Sequence, residues 1–83
     1  MNEVQCVKVQ IKLDTVDKVK TFSERAAVCP LDLDILQKRY IIDAKSVLGI
    51  FSCDLSQELT LVIHDGDKKE VEKFKQFIEA FKC

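Results

Sequence analysis

The chain has no tryptophan, one tyrosine, one methionine, one proline, one histidine and two glycines among its 83 residues. So little proline and glycine excludes collagen-like, low-complexity and linker-rich architectures. Long apolar runs are also missing, so no segment is expected to span a membrane. The N-terminus lacks the apolar core of a signal peptide, and a soluble cytoplasmic protein is the expectation. Charge of one sign is not in excess: thirteen basic and fourteen acidic residues leave −1. Without a basic block, no nucleic-acid partner is expected. The four cysteines, Cys6, Cys29, Cys53 and Cys83, include no Cys-x-x-Cys, and His64 lies in a different segment from each of them. Free thiols are expected, with no bound metal. No glycine loop for phosphates, paired-carboxylate site or nucleophile–base pair is recognisable, so neither a cofactor nor enzymatic activity is expected.

What is present is a globular composition, 47% apolar and 33% charged, of a length that predicts one compact domain over residues 1–83. Val7, Val9, Ile11 and Leu13 alternate with Lys8, Gln10 and Lys12, the period of a half-buried strand. From Asp14-Thr15 the period lengthens. Val16, Val19, Phe22, Ala26 and Ala27 recur at helical spacing, with Asp14 or Thr15 as N-cap and Asp17 in the first turn. Cys29-Pro30 should end this helix, because a residue before proline avoids the helical region. Leu31, Leu33 and Ile35 alternate with Asp32 and Asp34; the polar turn Gln37-Lys38-Arg39 then leads to a strand at Tyr40–Ile42, a hairpin.

A short apolar helix is predicted over Ser46–Ser52. Gly49 inside it costs about 1 kcal/mol relative to alanine, which points to a close contact there. Leu59, Leu61 and Ile63 mark a fourth strand, broken by Asp65-Gly66-Asp67. A last helix carries the stripe Val71, Phe74, Phe77, Ile78 and Phe81, with Lys68–Glu72 and Lys75–Glu79 spaced for weak pairs. The order β-α-β-β-α-β-α, with one apolar stripe per helix, predicts a two-layer α/β sandwich. Its sheet is antiparallel or mixed, and Lys8, Gln10, Lys12, Asp32, Asp34 and Thr60 suit the open face.

This order, together with Asp43-Ala-Lys-Ser46-Val-Leu-Gly49-Ile-Phe-Ser52, resembles HPr, the small phosphocarrier family of the bacterial phosphoenolpyruvate-dependent sugar phosphotransferase system. The quoted segment is similar to that family's regulatory-serine helix. Glu58–Ile63 and the helix after Asp65-Gly66-Asp67 are similar to its last strand and ending. The resemblance implies an open-faced sandwich with a four-stranded antiparallel sheet, and a regulatory phosphorylation site at Ser46. It also implies a docking surface for protein partners, among them an HPr kinase/phosphorylase or a transcriptional regulator.

The resemblance fails at the front. An ungapped alignment on Ser46 sets Thr15 where the family has its phosphorylated histidine, Asp17 where it has arginine and Lys18 where it has proline. A threonine phosphate ester is a poor phosphoryl donor, and Asp14 and Asp17 would repel the incoming group. The expectation is therefore a regulatory protein without histidine phosphotransfer. The alternatives are a protein-binding domain with no phosphotransferase role, or a carrier using another acceptor. Val47, Leu48 and Phe51 are docking candidates, with Asp17 altering the charge of that surface. Packing alone would bury at least two of the three apolar residues, whereas the resemblance keeps Leu48 exposed. His64 is expected to be a sheet-surface residue with no acid or base in reach, and Cys53 a buried, unreactive thiol.

Overall fold

The computed structural model describes residues 6–64 and 66–83; Asp65 of the expected break after the fourth strand lies outside them. The elements are β1 (Val7–Ile11), α1 (Val16–Ala27), β2 (Leu33–Gln37), β3 (Tyr40–Asp43), α2 (Val47–Phe51), β4 (Leu59–Ile63) and α3 (Lys68–Ile78), with a 3-10 turn over Glu79–Phe81. All strand pairs are antiparallel, in the order β1-β4-β2-β3. The expected element order and the four-stranded antiparallel sheet with helices on one face are both observed.

Strand parity sets the two faces. Ile11, Leu33, Ile35, Leu59, Leu61 and Ile63 are buried with Val19, Phe22, Ile50, Phe74 and Ile78 from the helices. The opposite face carries Lys8, Gln10, Asp34 and Thr60 as expected, but also Leu36, Val62 and Ile41. Val62 is almost fully covered despite lying on the open face, since its cross-strand neighbours are Lys8 and Asp34, and a long side chain shields apolar surface with its stem. The C-terminal residues extend the sheet: Lys12 N donates to Phe81 O at 2.9 Å and Cys83 N to Gln10 O at 3.2 Å, covering part of the free edge of β1.

Four phenylalanines join α1 to α3. Phe22 meets Phe74 and Phe81 edge-on, with ring centres 6.0 and 6.1 Å apart, and stacks on Phe77 at 6.4 Å. Arg25 lies over the rings of Phe74 and Phe77 at 5.9 and 5.7 Å, so its stem and charge seal the rim of the cluster.

Several expected details shift. Leu13 and Leu31 are buried but lie outside the strands, and Val16 and Ala27 are exposed while Ser23 takes the inward place on α1. Ser23 satisfies its hydroxyl by donating to the Lys20 carbonyl at 3.2 Å, which makes that burial tolerable. On α3 the ion pairs are Lys73–Glu70 and Lys75–Glu72, three residues apart, in place of the four-residue pairs expected.

Polar groups hold the connections. Gln37 accepts from the Asp54 amide and donates to the Asp54 carbonyl, both at 2.8 Å, tying the loop after α2 to the hairpin. The Asp54 carboxylate accepts from the Ser56 hydroxyl and amide, which lowers its pKa below the ordinary 3.8. Asp14 is lowered in the same way by the Lys18 ammonium.

Two expectations follow. Phe22→Ala removes the ring shared by three others and should cost about 3–5 kcal/mol, read from denaturant unfolding; a loss under about 1 kcal/mol would contradict its central position. Asp14 and Asp54 both have depressed folded pKa values. Their contribution to stability is therefore present above pH 3.8 and lost as pH falls through the lower folded values. Carboxyl titration followed by NMR should show both midpoints below those of unstructured peptides, and removing Ser56 by Ser56→Ala should raise only that of Asp54.

Candidate functional site

The junction from β1 into α1 is built on a hydroxyl. Thr15 is the N-cap in extended conformation, and its Oγ1 accepts from the Lys18 amide at 3.1 Å. That bond satisfies one of the amides a helix start leaves unpaired. Lys18 Nζ reaches back to Asp14 at 3.0 Å, so the nearest cation is already matched with a carboxylate. Asp17 lies exposed in the first turn, and Val16 is 60% exposed beside it. The chain's only histidine, His64, stands just after β4. No imidazole therefore belongs to the α1 N-terminus.

The start of α2 is also a hydroxyl cap. Ser46 is half-buried, and its Oγ accepts from the Gly49 amide at 3.1 Å. The residues leading into it are committed elsewhere: Asp43 Oδ1 accepts from the Lys45 amide at 2.9 Å, and Lys45 Nζ donates to the Cys29 carbonyl at 2.9 Å. Lys45 thus clamps the end of α1 to the beginning of α2, a cation where a helix C-terminus favours one. Gly49 is explained by contact. A Cβ there would lie 2.8 Å from Ile42 Cγ2 and 3.1 Å from Ser46 Oγ, so only glycine lets α2 rest this close to β3.

Five residues of helix turn little of their surface inward, and in α2 the buried residue is Ile50. Val47, Leu48 and Phe51 are 37%, 79% and 41% exposed, so packing buries none of the three docking candidates. Leu48 and Phe51 are neighbours at the i, i+3 spacing. Next to them, between β3 and the end of α2, a hollow of about 320 Å³ is lined by Gln37, Tyr40, Ile41, Ile42, Ser52 and Cys53. Tyr40 and Ile41 are largely exposed and extend the apolar surface. The alternation of β3 identified them as strand residues only; that β3 is an edge strand is a property of the sheet order. Cys53, expected to be buried, is half-buried, and burial pushes its thiol pKa up.

On the open face, one expectation is corrected. His64 was expected to have no acid or base in reach, yet its Nε2 lies 2.8 Å from Asp34 Oδ2 and its Nδ1 3.6 Å from Cys6 Sγ. Residues distant in sequence meet here because β4 lies between β1 and β2. Among the described residues no group of three or more histidine, cysteine or acidic side chains is arranged to hold a metal.

The cap and the glycine contact have separable costs. Ser46→Ala leaves the Gly49 amide without its partner and should cost about 1 kcal/mol. Gly49→Ala gains helix propensity but drives a methyl into a β-branched side chain that is stiff at χ1, for a net loss of about 1–2 kcal/mol. Urea midpoints of the two variants measure both; a stabilised Gly49→Ala would contradict the close approach of α2 to β3.

No family model matches this chain, and no curated protein is significantly similar to it in sequence. Two solved structures share its fold. The crystal structure of HPr-C-His from Thermoanaerobacter tengcongensis superposes with a TM-score of 0.71 at 22% identity, covering 92% of each chain. That of a phosphocarrier protein HPr from Bacillus anthracis strain Ames gives 0.64 at 21% identity, covering 87% of this chain and 93% of the other. The architecture of this protein is thus the open-faced sandwich of HPr.

Proposed function

We propose that the protein is a regulatory, non-carrier member of the HPr type, acting in the phosphoenolpyruvate-dependent sugar phosphotransferase system of the cytoplasm and controlled at Ser46. The observation that carries this reading is the pairing of two helix starts. One holds Thr15 between carboxylates, and the other holds Ser46 beside uncovered apolar side chains. Phosphocarrier chemistry needs an imidazole that accepts a phosphoryl group and gives it up readily, with positive surroundings to receive it. A threonine hydroxyl already accepting from Lys18, flanked by Asp14 and Asp17, supplies neither.

Ser46 has the chemistry of a switch instead. Transfer of the γ-phosphoryl group of ATP to Oγ would release the hydroxyl proton and ADP, leaving a stable ester. The ester adds about −1.5 to −2 charge and three strong acceptor oxygens beside Val47, Leu48 and Phe51. A neutral apolar surface becomes an apolar surface with an anionic rim, which arginine groups of a partner recognise in bidentate fashion. An HPr kinase/phosphorylase would write this mark, and a transcriptional regulator is the kind of partner to read it. Leu48 is the anchor of this docking surface. Asp17 distinguishes its charge from that of a carrier, which has a basic residue at the matching position.

Incubation with an HPr kinase and ATP should add the mass of one phosphoryl group to the wild type and none to Ser46→Ala. No gain on the wild type, or the same gain on the variant, would remove Ser46 as the control site. Incubation with phosphoenolpyruvate and enzyme I should leave no acid-labile phosphoprotein; its appearance would overturn the non-carrier assignment.

A further inference from the structure

The β1–β4 register pairs Val7 with Ile63, and its continuation by one residue sets Cys6 opposite His64. The β2–β4 register pairs Leu33 with Ile63, and the bond from His64 N to Asp32 O at 3.0 Å continues it, leaving Asp34 diagonal to His64. All three residues share the parity of the open face, and diagonal neighbours on one face of a sheet are within reach of long side chains. The result is a line of groups: Cys6 Sγ, 3.6 Å to His64 Nδ1, then His64 Nε2, 2.8 Å to Asp34 Oδ2. A carboxylate only accepts, so in the neutral ring Nε2 carries the hydrogen and Nδ1 turns its lone pair to the thiol. Cysteine and aspartate lie on opposite sides of the ring, which is the geometry of a proton relay and not of a chelate.

The surroundings distinguish this thiol from the other three. Cys29 is buried and Cys53 half-buried, whereas Cys6 and Cys83 are exposed. Cys83 has no imidazole partner, and burial and the Glu58 charge push its thiol pKa up.

We infer that Cys6 is a nucleophilic thiol, activated by His64 and held to that task by Asp34, and that it is a site of reversible modification by low-molecular-weight disulfides. The thiol proton passes to Nδ1 of His64, and the resulting imidazolium is stabilised by Asp34. The thiolate attacks one sulfur of RS–SR. The Cys6 S–SR bond forms as the RS–SR bond breaks, and the departing RS⁻ takes the proton from His64. One disulfide and one thiol are consumed, and a mixed disulfide and one thiol RSH are produced. A second thiol reverses the step by the same path. Cys6 and His64 take part in the exchange, while Asp34 is a positioning residue. This inference is independent of the reading of Ser46.

The test uses the full, reduced chain near neutral pH, with iodoacetamide and, separately, 2-hydroxyethyl disulfide, each site followed by peptide mass mapping. Cys83 serves as the internal exposed reference. Cys6 should react about tenfold faster in the wild type than in His64→Ala, with Asp34→Asn between the two, a comparison within one thiol that the raised pKa of Cys83 does not affect. The Cys83 rate should stay unchanged in both variants. Asp34→Glu, which keeps a carboxylate beside Nε2, should restore most of the Cys6 rate lost in Asp34→Asn, a rescue that an altered fold alone would not produce. Circular dichroism verifies that each variant is folded. Equal rates of Cys6 and Cys83 in the wild type, a comparison that needs no variant, would overturn the inference, as would a Cys6 rate that His64→Ala leaves unchanged.

Discussion

A sheet covered on one side only is the constraint from which the other features follow. Three helices lie on one face of β1-β4-β2-β3, and two of them, α1 and α3, are joined there through Phe22, Phe74, Phe77 and Phe81. Odd-numbered positions of β1, β2 and β4 therefore face the core, and even-numbered ones lie on the open face, where Val62 alone among them is buried. Helix α2 is only five residues long, and it buries Ile50 while leaving Val47, Leu48 and Phe51 outside. Both surfaces discussed above are products of this one-sidedness. The apolar one exists because the helix layer is thin at α2, and the thiol–imidazole–carboxylate line exists because, among the described residues, no element covers the other face.

Thr15 and Ser46 occupy the same position in a helix, yet their surroundings differ. Each is an N-cap whose oxygen accepts from the third amide along. Around Thr15 the nearby charges are Asp14, Asp17 and a lysine already paired with Asp14. Around Ser46 the neighbouring charges are turned away, with Asp43 bonded to a backbone amide and Lys45 to the end of α1. Gly49 holds α2 against β3 so closely that the serine and Leu48 keep a defined relation to the sheet. A hydroxyl cap is in itself only a stabilising device. What surrounds it decides whether a modification there would alter a recognisable surface.

Much of the architecture was legible because periodicity survives in the finished fold. Strands with strict alternation, such as Leu59–Ile63, and helices with a long stripe, such as α3, were identified with small errors at their ends. Those errors have physical causes. Leu13 and Leu31 continue the alternation of their neighbours and are buried, but they leave the ladder to enter connections. Val16 looks like the first residue of a stripe, yet the opening turn of α1 projects past the edge of the core, while Ser23 enters the core with its hydroxyl satisfied by its own helix. Gly49 was legible as a close contact, but its partner Ile42 was not, since nothing local says which strand lies beneath α2.

From the residues alone came the element order, the inward and outward faces, Thr15 as one of two candidate caps of α1, and the absence of a histidine at the α1 entrance, because each depends on neighbours a few positions apart. Tertiary structure alone decided the strand order, and with it every encounter between distant residues. His64 looked isolated for this reason: a hairpin or helix can be inferred from spacing, but no spacing reveals that β4 inserts between β1 and β2. That insertion brings Cys6 and Asp34, 58 and 30 residues away along the chain, to opposite sides of one imidazole ring. Side chains acquire such partners only when the buried face has fixed the register, since a slip of one residue would turn all three to the other side of the sheet.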